Sequence, residues 1–240
     1  MTRSKKKMPH HSWKEILERA YGQLDPEYRI FLEKDNTFFP TRENYLNAFR
    51  TLPKDEVKYV LFGQDPYPRR ESAGGYAFID EKVKTLFSDK GLSKEVNRAT
   101  SLRNFIKMAL LARGDITVDD TSQTAISRID RTALIESICQ LRINFEKNGV
   151  LLLNTSLIFT DKKSSSRHVK SWRPFMHSLL NDLRVNAPKL ILFGTHAQAL
   201  KKSLPLESFE TIEVEHPYNH TFICNEKVLN LFRPMNLLEK

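Results

Sequence analysis

Four short apolar runs in this 240-residue chain each break off at residues that can do chemistry. Val57 to Phe62 runs into Gly63-Gln64-Asp65-Pro66-Tyr67, and Val150 to Leu153 into Asn154-Thr155-Ser156. Leu190 to Phe193 runs into Gly194-Thr195-His196, and the segment from Thr211 to Glu215 into His216-Pro217. The ends supply a carboxylate, a carboxamide, imidazoles and hydroxyls. A carboxylate can orient water, an imidazole can stabilise a developing anion, and a carboxamide can read a polar edge through its donor and acceptor. Tyr67 and Phe78 add rings for stacking. Such groups suit a small polar ring as substrate. The chain has no Gly-rich phosphate loop, no G-x-S-x-G elbow and no metal-ligand spacing, so the expected site uses no metal and no organic cofactor.

These residues need elements to hold them. An apolar run stopping at a polar cluster reads as a buried strand entering a turn. Pro66 removes a donor and fixes its own φ, which stiffens the turn holding Asp65. Gly74-Gly75 before Tyr76-Ala77-Phe78 predicts close backbone approach. Thr211 to Glu215 alternates apolar and charged residues, as an edge strand does.

The intervening segments carry helical periodicity. S-W-K-E at Ser12 predicts a capping box, with Trp13, Ile16, Leu17, Ala20 and Tyr21 on one face. Pro26 opens a second helix to about Glu33, and Thr41 caps a third. Further helices are expected from Ser101, from Ala133 to Asn148, from Trp172 to about Arg184 and from an Asn225 cap. The polar stretch from Gly114 to Thr132 is expected as a loop or a small excursion, and the basic run from Thr160 to His168 as a surface loop. Helices alternating with strands predict a three-layer α/β/α fold around a central, mainly parallel four-stranded sheet. In a parallel sheet the four polar clusters converge on one edge, where open α/β sheets place their ligands.

The length suits one domain over residues 11–240, after a basic flexible tail at 1–10 that carries Arg3, Lys5, Lys6 and Lys7. The net charge of +9 favours an anionic partner, with nucleic acid the leading candidate. No apolar run approaches the roughly 20 residues of a membrane span. Cys139 and Cys224 stand far apart, which fits a reducing compartment.

The motifs in order carry a family resemblance. GQDPYP at Gly63 to Pro68, GGYAF ending at Phe78, SLRN at Ser101 to Asn104, LLLN ending at Asn154, GTHAQ at Gly194 to Gln198, and His216-Pro217 resemble family 1 uracil-DNA glycosylase from about Val57 onward. The resemblance implies a hydrolase that flips uridine out of DNA and breaks the bond between base and sugar, as in base excision repair. Asp65 would orient the water and lie beneath the cationic sugar, and His216 would donate to uracil O2. Asn154 would read the uracil edge, Phe78 would stack on the base, Tyr67 would exclude thymine's methyl group and Gln64 would line the pocket. DNA contact is expected from Ser101, Gly194, Thr195, His196, Pro217, Tyr218 and His220, with Arg69, Arg70, Lys162, Lys163 and Arg167 adding charge.

The implied protein is a cytoplasmic monomer (nuclear or organellar in a eukaryote) that acts on uracil in single- and double-stranded DNA. A proteinaceous inhibitor is left open as a partner. The chain departs from the family at Pro68, where most members have a His that helps hold water. It departs again at His216-Pro217-Tyr218-Asn219-His220-Thr221, which lacks the wedging leucine and puts Tyr218 or His220 forward for that task. Glu215 is expected to raise the pKa of His216. Two alternatives stand beside the active enzyme: a glycosylase-like DNA-binding or processivity module, and a glycosylase of altered base or strand preference.

Overall fold

A computed structural model describes residues 8–240, so Arg3, Lys5, Lys6 and Lys7 of the expected tail lie outside the described residues. His10, counted in the expected tail, is tied to the body of the fold. His10 donates its backbone N–H to the Phe49 carbonyl at 2.8 Å, and its ring accepts from the Ser12 N–H. The strands are β1 (Tyr59–Gly63), β2 (Phe87–Ser88), β3 (Gly91–Leu92), β4 (Val150–Asn154), β5 (Lys189–Phe193) and β6 (Thr211–Val214). The α-helices are α1 (Lys14–Gly22), α2 (Pro26–Lys34), α3 (Lys94–Arg98), α4 (Thr100–Arg113), α5 (Gln123–Ser127), α6 (Ile138–Lys147), α7 (Ser165–Leu183), α8 (Gly194–Gln198) and α9 (Glu226–Phe232).

One sheet has the order β4-β1-β5-β6, and every neighbouring pair in it is parallel. The expected four strands are all present, and β6 lies at an edge as expected, with β4 at the other. β2 and β3 form a separate antiparallel pair. The middle residues of β1 and all of β4 are buried, as strands covered on both faces should be. Aromatic rings mark the two covering layers. Trp172 of α7 packs against Tyr28, Tyr45 and Phe175. Phe105 of α4 packs against Phe145 of α6, Phe232 of α9 and Phe222. Phe193 at the end of β5 meets that second group. Both layers belong to one continuous buried cluster.

Several local expectations are corrected. Ser12 does not cap α1, which starts at Lys14 behind a 3-10 turn, because its hydroxyl accepts from the distant Lys54 N–H at 2.9 Å. The segment after Thr41 makes turns and a 3-10 turn at Asn47–Phe49, not an α-helix. That segment is shaped to Gly75, whose φ is +88° and where a Cβ would meet the Asn44 carbonyl at 2.0 Å. Ser101 lies inside α4 and is not its cap. The helix expected from Ala133 begins at Ile138, behind a capping box made by Ser137 and Gln140. Asn225 does cap α9, accepting from the N–H groups of Lys227 and Val228. The expected loop from Thr160 to His168 is shorter, because α7 starts at Ser165. This last correction matters most for the site.

Candidate active site

The turn after β1 is tied to the turn after β4. Gly63 pairs with Asn154 in register, and the Gly63 carbonyl accepts from the Thr155 N–H at 2.9 Å. The Gln64 carbonyl accepts from the Ser156 N–H at 2.9 Å and from the Thr155 hydroxyl at 2.8 Å. Asp65 is thereby held beside the end of β4. Its carboxyl group is half-buried, and burial pushes its pKa above the usual carboxylate value. A hydrogen bond opposes that shift: the Ser165 hydroxyl donates to Asp65 Oδ2.

Asn154 is 5 % exposed, and among the described residues no hydrogen bond engages its carboxamide. Its amide atoms are not among the sealed, unpaired polar atoms of the core, so the carboxamide keeps its donor and acceptor open to the cavity it lines. Gly63 makes room for it, since a Cβ there would lie 2.2 Å from Asn154 Oδ1.

Phe78 holds a positive φ of 68°, costly for a bulky side chain. Its ring stands edge-on to Phe105 at 4.9 Å and to Phe193 at 6.1 Å, which leaves one face for the cavity. The Tyr67 hydroxyl donates to the Phe78 backbone carbonyl at 3.3 Å, tying the Tyr67 side chain to the segment that carries Phe78. Burial pushes the Tyr67 phenol pKa well up, so it stays a neutral donor.

His216 follows β6. The Tyr218 N–H donates to His216 Nδ1 at 3.1 Å, so the neutral ring carries its proton on Nε2. The residue is exposed overall, yet partial desolvation of its ring, with His196 nearby, pushes its pKa down. The expected effect of Glu215 is therefore overturned. The Glu215 carboxylate turns to the Thr221 hydroxyl and to Asn225 Nδ2, at 3.1 Å for the latter. Gly194 lies against the histidine: its φ is +73°, and a Cβ would meet His216 Cβ at 2.8 Å. Gly194 thus acts first as packing space for His216. The loop after His216 is clamped by Asn104, whose Nδ2 donates to the carbonyls of Pro217 at 2.8 Å and of Tyr218 and Asn219 at 3.3 Å each.

A cavity of about 600 Å³ opens among these groups. Asp65, His216, Asn154, Phe78, Tyr67 and Gln64 all line it, as do Ser101, Pro68 and His196. Gly194, Thr195, Pro217, Tyr218 and His220 are not in its lining. Thr195 is exposed on α8, Tyr218 on the turn after His216, and His220 at the start of the 3-10 turn that follows. The cavity continues along α7, where Lys170 and Arg173 face it. Arg69 and Arg70 are otherwise engaged, Arg69 with Asp80 at 3.3 Å, and Arg70 with the Thr37 carbonyl and the Phe39 ring. Ser165 and Asn104 are the residues that reasoning from sequence missed. A Ser164-Ser165-Ser166 run before a helical pattern is a start signal that could have placed the first.

The family model of the uracil DNA glycosylase superfamily matches residues 49–239. The chain belongs to the uracil DNA glycosylase superfamily. The wild-type UNG of Nitratifractor salsuginis is 51% identical, with a TM-score of 0.95 over 97% of this chain and 93% of that one. The uracil-DNA glycosylase of Fusobacterium nucleatum is 29% identical over 218 residues, covering 87% of this chain and 81% of its own. That of Francisella philomiragia is 28% identical over 215 residues, covering 86% and 84%. In this superfamily member the position after Tyr67 is Pro68, which offers no side-chain donor or acceptor. The hydroxyl that reaches Asp65 comes instead from α7.

Proposed function

We propose a division of labour among the cavity residues of this uracil-DNA glycosylase. The enzyme hydrolyses the N-glycosidic bond of deoxyuridine in DNA, releasing uracil and leaving an abasic site. The observation that carries our assignment is the carboxamide of Asn154, free of protein partners among the described residues and opening into one cavity with Asp65 and His216. A carboxamide there can donate to uracil O4 and accept from N3–H, whereas cytosine presents the opposite pattern. Phe78 stacks on the flipped base, Tyr67 fills the space beside C5, and Gln64 lines the wall.

As the bond to the sugar lengthens, negative charge grows on uracil and positive charge on the sugar. His216, neutral and with its proton on Nε2, donates to O2; a preorganised donor of this kind is worth about 10²- to 10³-fold in rate. Asp65 lies beneath the sugar and orients the attacking water through its carboxylate. The cationic wall of the cavity supports a DNA backbone as the partner. Ser101, Thr195, His196 and the loop at Pro217 hold phosphates, with Gly194 setting the turn. Tyr218, 67% exposed at the tip of the Asn104-clamped loop, wedges into the stack beside His220.

We assign the activity to residues 11–240 as one monomeric unit, acting on single- and double-stranded DNA in the cytoplasm, with a proteinaceous inhibitor as a further partner. Among the described residues no helix is long and apolar enough to cross a membrane. The test is uracil release from single- and double-stranded oligonucleotides in the presence of EDTA. Asp65→Asn is expected to cut the rate strongly and leave DNA affinity intact. Loss of activity in EDTA, or a fully active Asp65→Asn, would overturn the assignment.

A further inference from the structure

Asp65 has two carboxylate oxygens and, among the described residues, one hydrogen-bond partner for them. Oδ2 accepts from the Ser165 hydroxyl, and among the described residues no hydrogen bond is directed at Oδ1. Ser165 is the first residue of the 19-residue α7, and Ser164 before it makes no side-chain cap. The Ser165 hydroxyl is thus not spent on its own helix. A helix start also carries partial positive charge, which favours an anionic carboxylate beside it. Pro68, which lines the same cavity as Asp65, can offer no hydrogen bond from its side chain.

We propose that Ser165 is the positioning residue for Asp65. It occupies Oδ2, fixes the plane of the carboxyl group and keeps Oδ1 aimed at the water and the sugar. It also favours the charged form that the chemistry needs, against a burial that disfavours it. This inference rests on the assignment of Asp65 made above. The titratable and charged groups sharing the cavity with Asp65 are Tyr67 on its own turn, Lys170 and Arg173 on α7, His196 on α8 and His216 after β6.

The experiment compares Ser165→Ala, Ser165→Thr and Asp65→Asn in single-turnover uracil release from a uracil-containing oligonucleotide across pH 5–9, alongside anisotropy of the same oligonucleotide and thermal melting. A hydrogen bond to a charged acceptor predicts a loss of about 10- to 100-fold for Ser165→Ala. Oligonucleotide affinity should be unchanged, and the acid limb of the rate should move to higher pH. Ser165→Thr keeps a hydroxyl and should recover most of the rate. The profile is repeated in the His216→Gln background, where the movement should persist because it belongs to Asp65. In the Asp65→Asn background Ser165→Ala should add little. An unmoved acid limb, or a Ser165→Thr as slow as Ser165→Ala at equal melting temperature, would overturn the proposal. A fully active Asp65→Asn would instead sink the assignment of Asp65 itself. Should Ser165→Ala melt early, the threonine comparison still decides.

Discussion

Gly63→Ala tests how the site is built, because it adds one carbon and removes nothing. Gly63 ends β1, opposite Asn154 in register. Its backbone does not lie in the left-handed region, so alanine brings no strain of its own. The added Cβ would lie 2.2 Å from Asn154 Oδ1 and 3.1 Å from Ala77 Cβ. Ordinary contact begins at 3.4 Å, so the oxygen must retreat by about 1.2 Å. A displacement of about 1 Å in a group that positions substrate costs on the order of 100-fold in rate, about 2.7 kcal/mol in transition-state stabilisation. The fold should survive, since alanine also restricts the unfolded chain by about 0.4–1 kcal/mol in favour of folding. The assay is single-turnover uracil release from a uracil-containing oligonucleotide, with thermal melting and a cytosine-containing control. The expected result is a rate down by about 100-fold at a near-normal melting temperature. In an Asn154→Ala background the same change should cost little more, because both act on one carboxamide. If Gly63→Ala alone stayed within about twofold of the parent, the placement of Asn154 against Gly63 would not matter to the chemistry.

Gly194→Ala should slow the reaction and lower stability by about 1–3 kcal/mol, since φ +73° and a 2.8 Å approach to His216 Cβ both oppose a side chain; kinetics with melting will show it. Asn104→Ala releases the loop after His216, and activity on duplex substrate should fall more than on single strands, read by paired gel assays. Replacing both Tyr218 and His220 by alanine should likewise weaken duplex activity, and an unchanged rate would exclude both as the wedge. His168 is buried, bonded at Nδ1 to Tyr28 (2.8 Å) and at Nε2 to Thr160 (2.9 Å), and burial holds its pKa below the usual 6.5. Its stabilising contribution is therefore complete above pH 6.5 and is lost as the pH falls toward the folded value. Denaturant midpoints should drop over that window with a slope of up to about 1.4 kcal/mol per pH unit, and His168→Gln should flatten it.

The alternation of helices and apolar runs already dictated a parallel sheet, because only helical crossovers return a chain to the same edge. Parallel strands in turn forced Asp65, Asn154, His196 and His216 toward one end, so the main site residues were legible without coordinates. What the linear order could not settle was which neighbours touch. Glu215 sits next to His216 in the chain, yet adjacent residues at a strand end point to opposite sides, and its carboxylate goes to Thr221 and Asn225. Ser165 lies 100 residues from Asp65, and Asn104 lies 113 from Pro217. Polar side chains leave no periodic trace of such partners, whereas apolar ones do, since burial repeats with the element and a hydrogen bond does not. The proton on His216 Nε2 and the open carboxamide of Asn154 belong to the same class. Both depend on donors and space that only the packed layers around the sheet edge supply.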